Sequence, residues 1–100
     1  MDIQEVKNVK RFEYKVPGGK LLRAKLNVEE DTISFIQITG DFFMQPETDL
    51  EELENRLIGT STDILQIERV VKEFFKFKKT IMVGTSAADF VFVISQALAA

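Results

Sequence analysis

The chain of 100 residues contains no cysteine and no histidine. Without cysteine there is no disulfide, no thiolate nucleophile and no zinc–thiolate centre. Without histidine the usual proton carrier near neutral pH is missing, and with it the commonest transition-metal ligand. Carboxylates, lysines and one tyrosine remain for acid–base work, but none of the motifs that organise such groups into an active site occurs. No apolar run approaches the roughly 18 residues that span a membrane. The stretch Met1 to Lys10 is mixed and charged, with no apolar signal core. These absences point to a soluble, cytoplasmic protein with no membrane partner and no free-standing catalytic centre.

What the chain does have is core material. Hydrophobic residues make up 45% of it, with nine phenylalanines, enough for one domain over residues 9–100 rather than a disordered chain. Residues 1–8 show no period and are expected to be a flexible or partly helical lead-in. The net charge of −3 is unevenly placed: residues 41–63 carry seven acids against Arg56 alone, while both flanks lean basic. That balance lacks the strong basic face that nucleic acid requires.

Three segments alternate with the period of a half-buried strand. In Arg11 to Val16, Phe12, Tyr14 and Val16 share a face, with Tyr14 read as core. In Leu21 to Val28, Leu22, Ala24, Leu26 and Val28 do the same. The third, Ile33 to Thr39, is rich in β-branched residues. There Ile33 and Phe35 face one way and Ile36 and Ile38 the other, so the strand is expected to be apolar on both sides, one of which needs a cover. Short connections, one of them Glu29-Glu30-Asp31, predict an antiparallel meander. Three helices follow. Thr48-Asp49-Leu50-Glu51 fits a capping box, with first-turn acids suited to the macrodipole and Gly59 as a stop. A second starts near Ser61 to Asp63 and carries Ile64, Ile67, Val71 and Phe74 on one stripe. A third starts at Ser86-Ala87-Ala88-Asp89. Its Phe90 to Ile94 run is apolar nearly all round and leaves a strand open as an alternative. The order β-β-β-α-α-α predicts an α+β domain of two layers, a three-stranded meander packed on helices.

The stretch Val16-Pro17-Gly18-Gly19-Lys20-Leu21-Leu22-Arg23 carries a Gly-Gly-Lys triplet. A Walker loop requires Ser or Thr after the lysine and a helix after that; here Leu21 and a strand follow. The alternative is a type II hairpin turn, with Pro17 at the first corner and Gly18 at positive φ in the second. Gly19 is expected to sit at positive φ as well and to open a bulge. Backbone N–H groups there, with Lys15 and Lys20 beside them, also suit an anion. Local sequence leaves both readings open.

Three runs together, VPGGKLLRAKL, IQITGDFFMQPE and LEELENRLIG, resemble the accessory, C-terminal-type domain of lipoate–protein ligases, over about residues 12 to 98. The chain is most similar to the stand-alone small subunit of a two-component ligase. The resemblance implies a fold similar to the sulfur-transfer and iron–sulfur scaffold domains, without their cysteine chemistry. It implies a partner, the catalytic large subunit, in a heterodimer, and indirectly the lipoyl carrier domains. It implies that ATP, magnesium and lipoate bind to that large subunit and none of them to this chain alone. The small domain's part is activation of lipoate to lipoyl-AMP; transfer to the carrier largely dispenses with it. An adaptor or scaffold domain with no ligase role remains the alternative.

The candidate interface or adenylation-assisting residues are the turn, Lys15, Gly18, Gly19, Lys20 and Arg23, and the run Gly40, Asp41, Phe42 and Phe43, together with the outward Ile36 and Ile38. Each has a plainer reading: a tight turn, two core phenylalanines, and an aspartate bonded to backbone or lysine. The acids from Glu47 to Glu54 form either a steering patch or a solvated helix face. The Lys76-Phe77-Lys78-Lys79 cluster suits either an acidic carrier domain or the dipole of its own helix end.

Overall fold

The computed structural model describes residues 9–100; the lead-in expected over residues 1–8 lies outside them. The elements are β1 (Lys10–Lys15), β2 (Leu21–Glu29), β3 (Thr32–Gly40), β4 (Phe43–Gln45), α1 (Thr48–Leu57), α2 (Ile64–Lys78), β5 (Ile81–Val83) and α3 (Ala87–Ala99). Strands β1, β2 and β3 form an antiparallel meander in that order. Period-two alternation puts Leu22, Ala24 and Leu26 on the helix side and leaves Arg23 exposed on the other. Helix α3 covers β1 and β2, α1 covers β3, and α2 lies against both helices. This is the expected two-layer α+β arrangement, closed around Phe74 and Phe90, both fully buried. Burying a side chain of that size contributes about 1.5–3 kcal/mol.

Strand β3 departs from the simple alternation. The β2–β3 register passes from Asn27↔Phe35 to Val28↔Ile33. One extra residue, Ser34, is therefore accommodated as a bulge, which flips the parity of everything before it. Ile33, Ile36 and Ile38 all turn inward and are buried, and only Phe35 faces out. The expectation of a strand apolar on both sides is thus corrected. Ile36 and Ile38 are core residues, 3% and 1% exposed, and do not form a bare face awaiting a partner.

The outer edge of β3 is closed by the chain itself. Gly59 N–H donates to Ile33 C=O at 2.7 Å, and Ile33 N–H to Thr60 C=O at 2.9 Å. Further along, Ile38 N–H donates to Glu54 Oε2 on α1 at 2.8 Å. Edge pairing of this kind removes the template that an open strand offers to other chains. The loss of solvent around Glu54 raises its carboxyl pKa, the Ile38 N–H opposes that, and Glu51 nearby adds to the rise.

The helices begin for different reasons. Asp63 caps α2 by accepting from Leu65 N–H, and Ser86 caps α3 by accepting from Asp89 N–H. The alternative of a strand over Phe90 to Ile94 is excluded, since those residues lie in α3. The capping box at Thr48 does not form. Helix α1 starts after Glu47, which is already in helical conformation and makes no side-chain cap. Asp49 instead turns inward, 3% exposed, and accepts from the Thr80 hydroxyl. That bond ties α1 to the segment entering β5, which pairs with β4 in a two-stranded antiparallel ribbon. The ribbon is an addition to the expected element order.

Candidate partner-docking site

The two motifs singled out in the sequence meet at one end of the sheet. Pro17 and Gly18 make the turn between β1 and β2, with Gly18 at φ +68° and Gly19 N–H donating to Val16 C=O at 2.8 Å. This is the expected second corner of a type II turn. The bulge anticipated at Gly19 is absent, because β1 and β2 pair without a shift from Lys10↔Leu26 to Lys15↔Leu21. Nor does Gly19 have a left-handed backbone. It is small for another reason: a Cβ there would stand 2.9 Å from the carbonyl oxygen of Gly84.

Gly84 belongs to the segment after β5, which sequence reasoning did not connect to the turn. Lys20 N–H reaches its carbonyl at 3.5 Å, and the Lys20 stem packs so close that a Cβ on Gly84 would lie 2.8 Å from Lys20 Cγ. From the other side, Asp41 N–H donates to Leu21 C=O at 3.0 Å. A Cβ on Gly40 would fall 2.2 Å from that same oxygen. Residues 17–21, 40–41 and 84 therefore form one tightly packed backbone corner. Its chemistry follows from the bonding. The N–H groups of Gly19 and Lys20 are already occupied within the chain, so they do not cup an anion as the open turn suggested. What remains available is the exposed Lys20 ammonium, with no ion-pair partner among the described residues, and the exposed Lys15 nearby.

The ribbon extends this corner. Its register is Phe43↔Val83, Met44↔Met82 and Gln45↔Ile81. Met44 turns inward and is buried, while Phe43, Ile81 and Val83 are 52%, 60% and 60% exposed. Phe42 goes to the core side and stacks edge-on against Phe90, with ring centroids 5.6 Å apart. The pair of phenylalanines therefore splits into one core residue and one surface residue. Beside Phe43 runs an open groove of about 330 Å³, lined by Gly40, Phe42, Phe43, Glu47 and Leu50 with Ile38 in its floor. A two-stranded face bearing Phe, Ile and Val toward water has the composition of a protein contact.

The other candidates fall elsewhere. Arg23 points to the open side of the sheet and bonds Glu13 Oε2 through Nε at 3.1 Å. Asp41 is exposed, and among the described residues no cluster of acids is placed to hold a metal. Lys78 donates to Glu52 Oε1 at 2.9 Å, which raises its pKa. Among the described residues no helix is long and apolar enough to cross a membrane. Ile81 and Val83 were missed because a three-residue strand shows no period; the only signal was an apolar triplet ending in glycine.

Comparison with known proteins places this arrangement in a class. Residues 5–94 match the family described as the C-terminus of bacterial lipoate protein ligase, and the chain belongs to that family. It is 34% identical over 71 residues, 71% of this chain and 72% of the other, to lipoate-protein ligase A subunit 2 of Thermoplasma acidophilum. It also superposes with a TM-score of 0.71 and 31% identity, covering 86% of this chain and 91% of the other, on a chain from a solved archaeal lipoylation system. That system, also from Thermoplasma acidophilum, is a bi-partite lipoate protein ligase and its E2 lipoyl domain.

Proposed function

We propose that this chain is the non-catalytic small subunit of a two-component lipoate–protein ligase. It docks on a catalytic large subunit and is required there for ATP-dependent activation of lipoate to lipoyl-AMP. The observation that carries this reading is the correspondence with a separate second subunit, along most of both chains, in a sequence with no histidine or cysteine. In this reading ATP, magnesium and lipoate bind to the large subunit. This chain supplies shape and charge to that site. The apolar ribbon face is the docking surface, since permanent subunit contacts are the more hydrophobic ones. The rigid corner beside it carries Lys20, whose positive charge suits the phosphoryl oxygens of an adenylating centre.

The test is lipoate-dependent pyrophosphate release by the large subunit alone, by this chain alone and by the two together. Release only, or far faster, in the mixture is the expected result. A large subunit that activates lipoate equally well without this chain would leave the adaptor reading in its place.

A further inference from the structure

The side of the sheet away from the helices carries an excess of positive charge. The β1–β2–β3 register aligns Arg11, Lys25 and Gln37 in one cross-strand row and Glu13, Arg23 and Thr39 in the next. Lys15 follows at the end of β1, opposite Leu21. Among the described residues four cations thus stand against two carboxylates, Glu13 and, at the far end of β2, Glu29, on a chain whose net charge is −3; Asp41 follows beyond the end of β3. Glu13 is engaged by Arg23. Arg11 and Lys25 stand directly opposite each other with no carboxylate partner among the described residues. Like charges in directly opposed strand positions destabilise a sheet, so this pair costs the free subunit stability. The rows line a shallow cleft of about 370 Å³ between Arg11, Glu13, Arg23, Lys25, Gln37 and Thr39. Guanidinium, ammonium, amide and hydroxyl groups in that arrangement fit a row of carboxylates.

We infer that this cationic sheet face is a transient docking surface for an acidic patch on the lipoyl domain that accepts the acyl group. The inference rests on the ligase reading above. A charged face suits a partner that comes and goes, because complementary charge raises the encounter rate more than the final affinity. The apolar ribbon is then left for the permanent partner. Nucleic acid is disfavoured, because the cations are few and the whole chain is negative. The face acts on encounter and not on the chemical step, so transfer proceeds without it at saturating lipoyl domain and depends on it only when the acceptor is dilute.

The experiment uses the assembled heterodimer carrying Arg11→Glu and Lys25→Glu, and a second variant with Arg11→Gln and Lys25→Gln. Steady-state transfer to the lipoyl domain is measured from low to physiological ionic strength, beside lipoyl-AMP formation without acceptor. The expected result is a rise of about tenfold in KM for the lipoyl domain in the charge-reversed form and a smaller rise in the neutral one. kcat and lipoyl-AMP formation stay at wild-type values, the unfolding temperature of the neutral form rises as the Arg11–Lys25 repulsion is removed, and the steep salt dependence of wild-type KM flattens. Arg11→Lys with Lys25→Arg keeps the wild-type KM. An unchanged KM with adenylation intact overturns the inference and leaves the ligase reading standing. Loss of binding to the catalytic subunit overturns it by assigning the face to the subunit interface. A wild-type heterodimer that forms no lipoyl-AMP removes the ligase reading and this inference with it.

Discussion

At Gly19 the constraint is a carbonyl oxygen and not a dihedral angle. A methyl group there would meet Gly84 C=O at 2.9 Å and Val16 Cγ1 at 3.2 Å, so the turn and the segment after β5 would have to separate. Gly19→Ala is expected to cost about 1–3 kcal/mol, as overpacking does, read as a fall in Tm of about 4–8 °C per kcal/mol in a domain of this size. An unchanged Tm would mean that the corner opens freely. Glu54 makes the second residue-scale prediction. Its folded pKa lies above the ordinary value of 4.5, chiefly through burial, so between those two values the folded state binds more protons than the unfolded one. Stability from this group is therefore fully present below about 4.5 and lost as pH rises through the folded pKa. Glu54→Gln keeps an acceptor for Ile38 N–H and should be more stable than wild type at pH 7. The difference should vanish in acid, as followed by urea midpoints. An advantage that persists at low pH would contradict the assignment.

The β4–β5 ribbon is the element whose two faces have separate duties. Met44 holds it to the core while Phe43, Ile81 and Val83 face water. Phe43→Ser with Val83→Ser should alter stability by no more than about 0.5 kcal/mol per site, as exposed substitutions do. The same pair should weaken association with the large subunit by tenfold or more, as loss of an aromatic anchor does, measured by titration calorimetry. Full affinity in the double variant would place the interface elsewhere. This ribbon also marks where sequence reading stops. The meander was legible because Phe12 to Val16 and Leu22 to Val28 alternate over whole strands, and α2 and α3 because Asp63 and Ser86 cap them. Phe43-Met44-Gln45 and Ile81-Met82-Val83 are too short to show a period, and their pairing spans α1 and α2. The Ser34 bulge was equally silent, since one added residue changes parity without changing composition. Thr48 misled because the capping pattern was present while Asp49 was drawn inward to Thr80. Of the candidate site, the turn and Phe43 were readable from local chemistry. The meeting of Gly19 with Gly84 was not, because it is a tertiary contact between segments far apart in sequence.

On the scale of the whole molecule, charge and apolar surface are segregated. The sheet face away from the helices is cationic, the ribbon is apolar, and the acids concentrate along residues 41–63. Segregated surfaces of different chemistry suit a protein that meets more than one partner. They also suit one that completes a reactive centre held by another chain, which is the central claim. Its most direct measurement is lipoate-dependent pyrophosphate release as this chain is titrated into its catalytic subunit. The account predicts a rate that climbs to a plateau at one chain per subunit, with no release from this chain by itself. A flat titration, or release by the isolated chain, would contradict it.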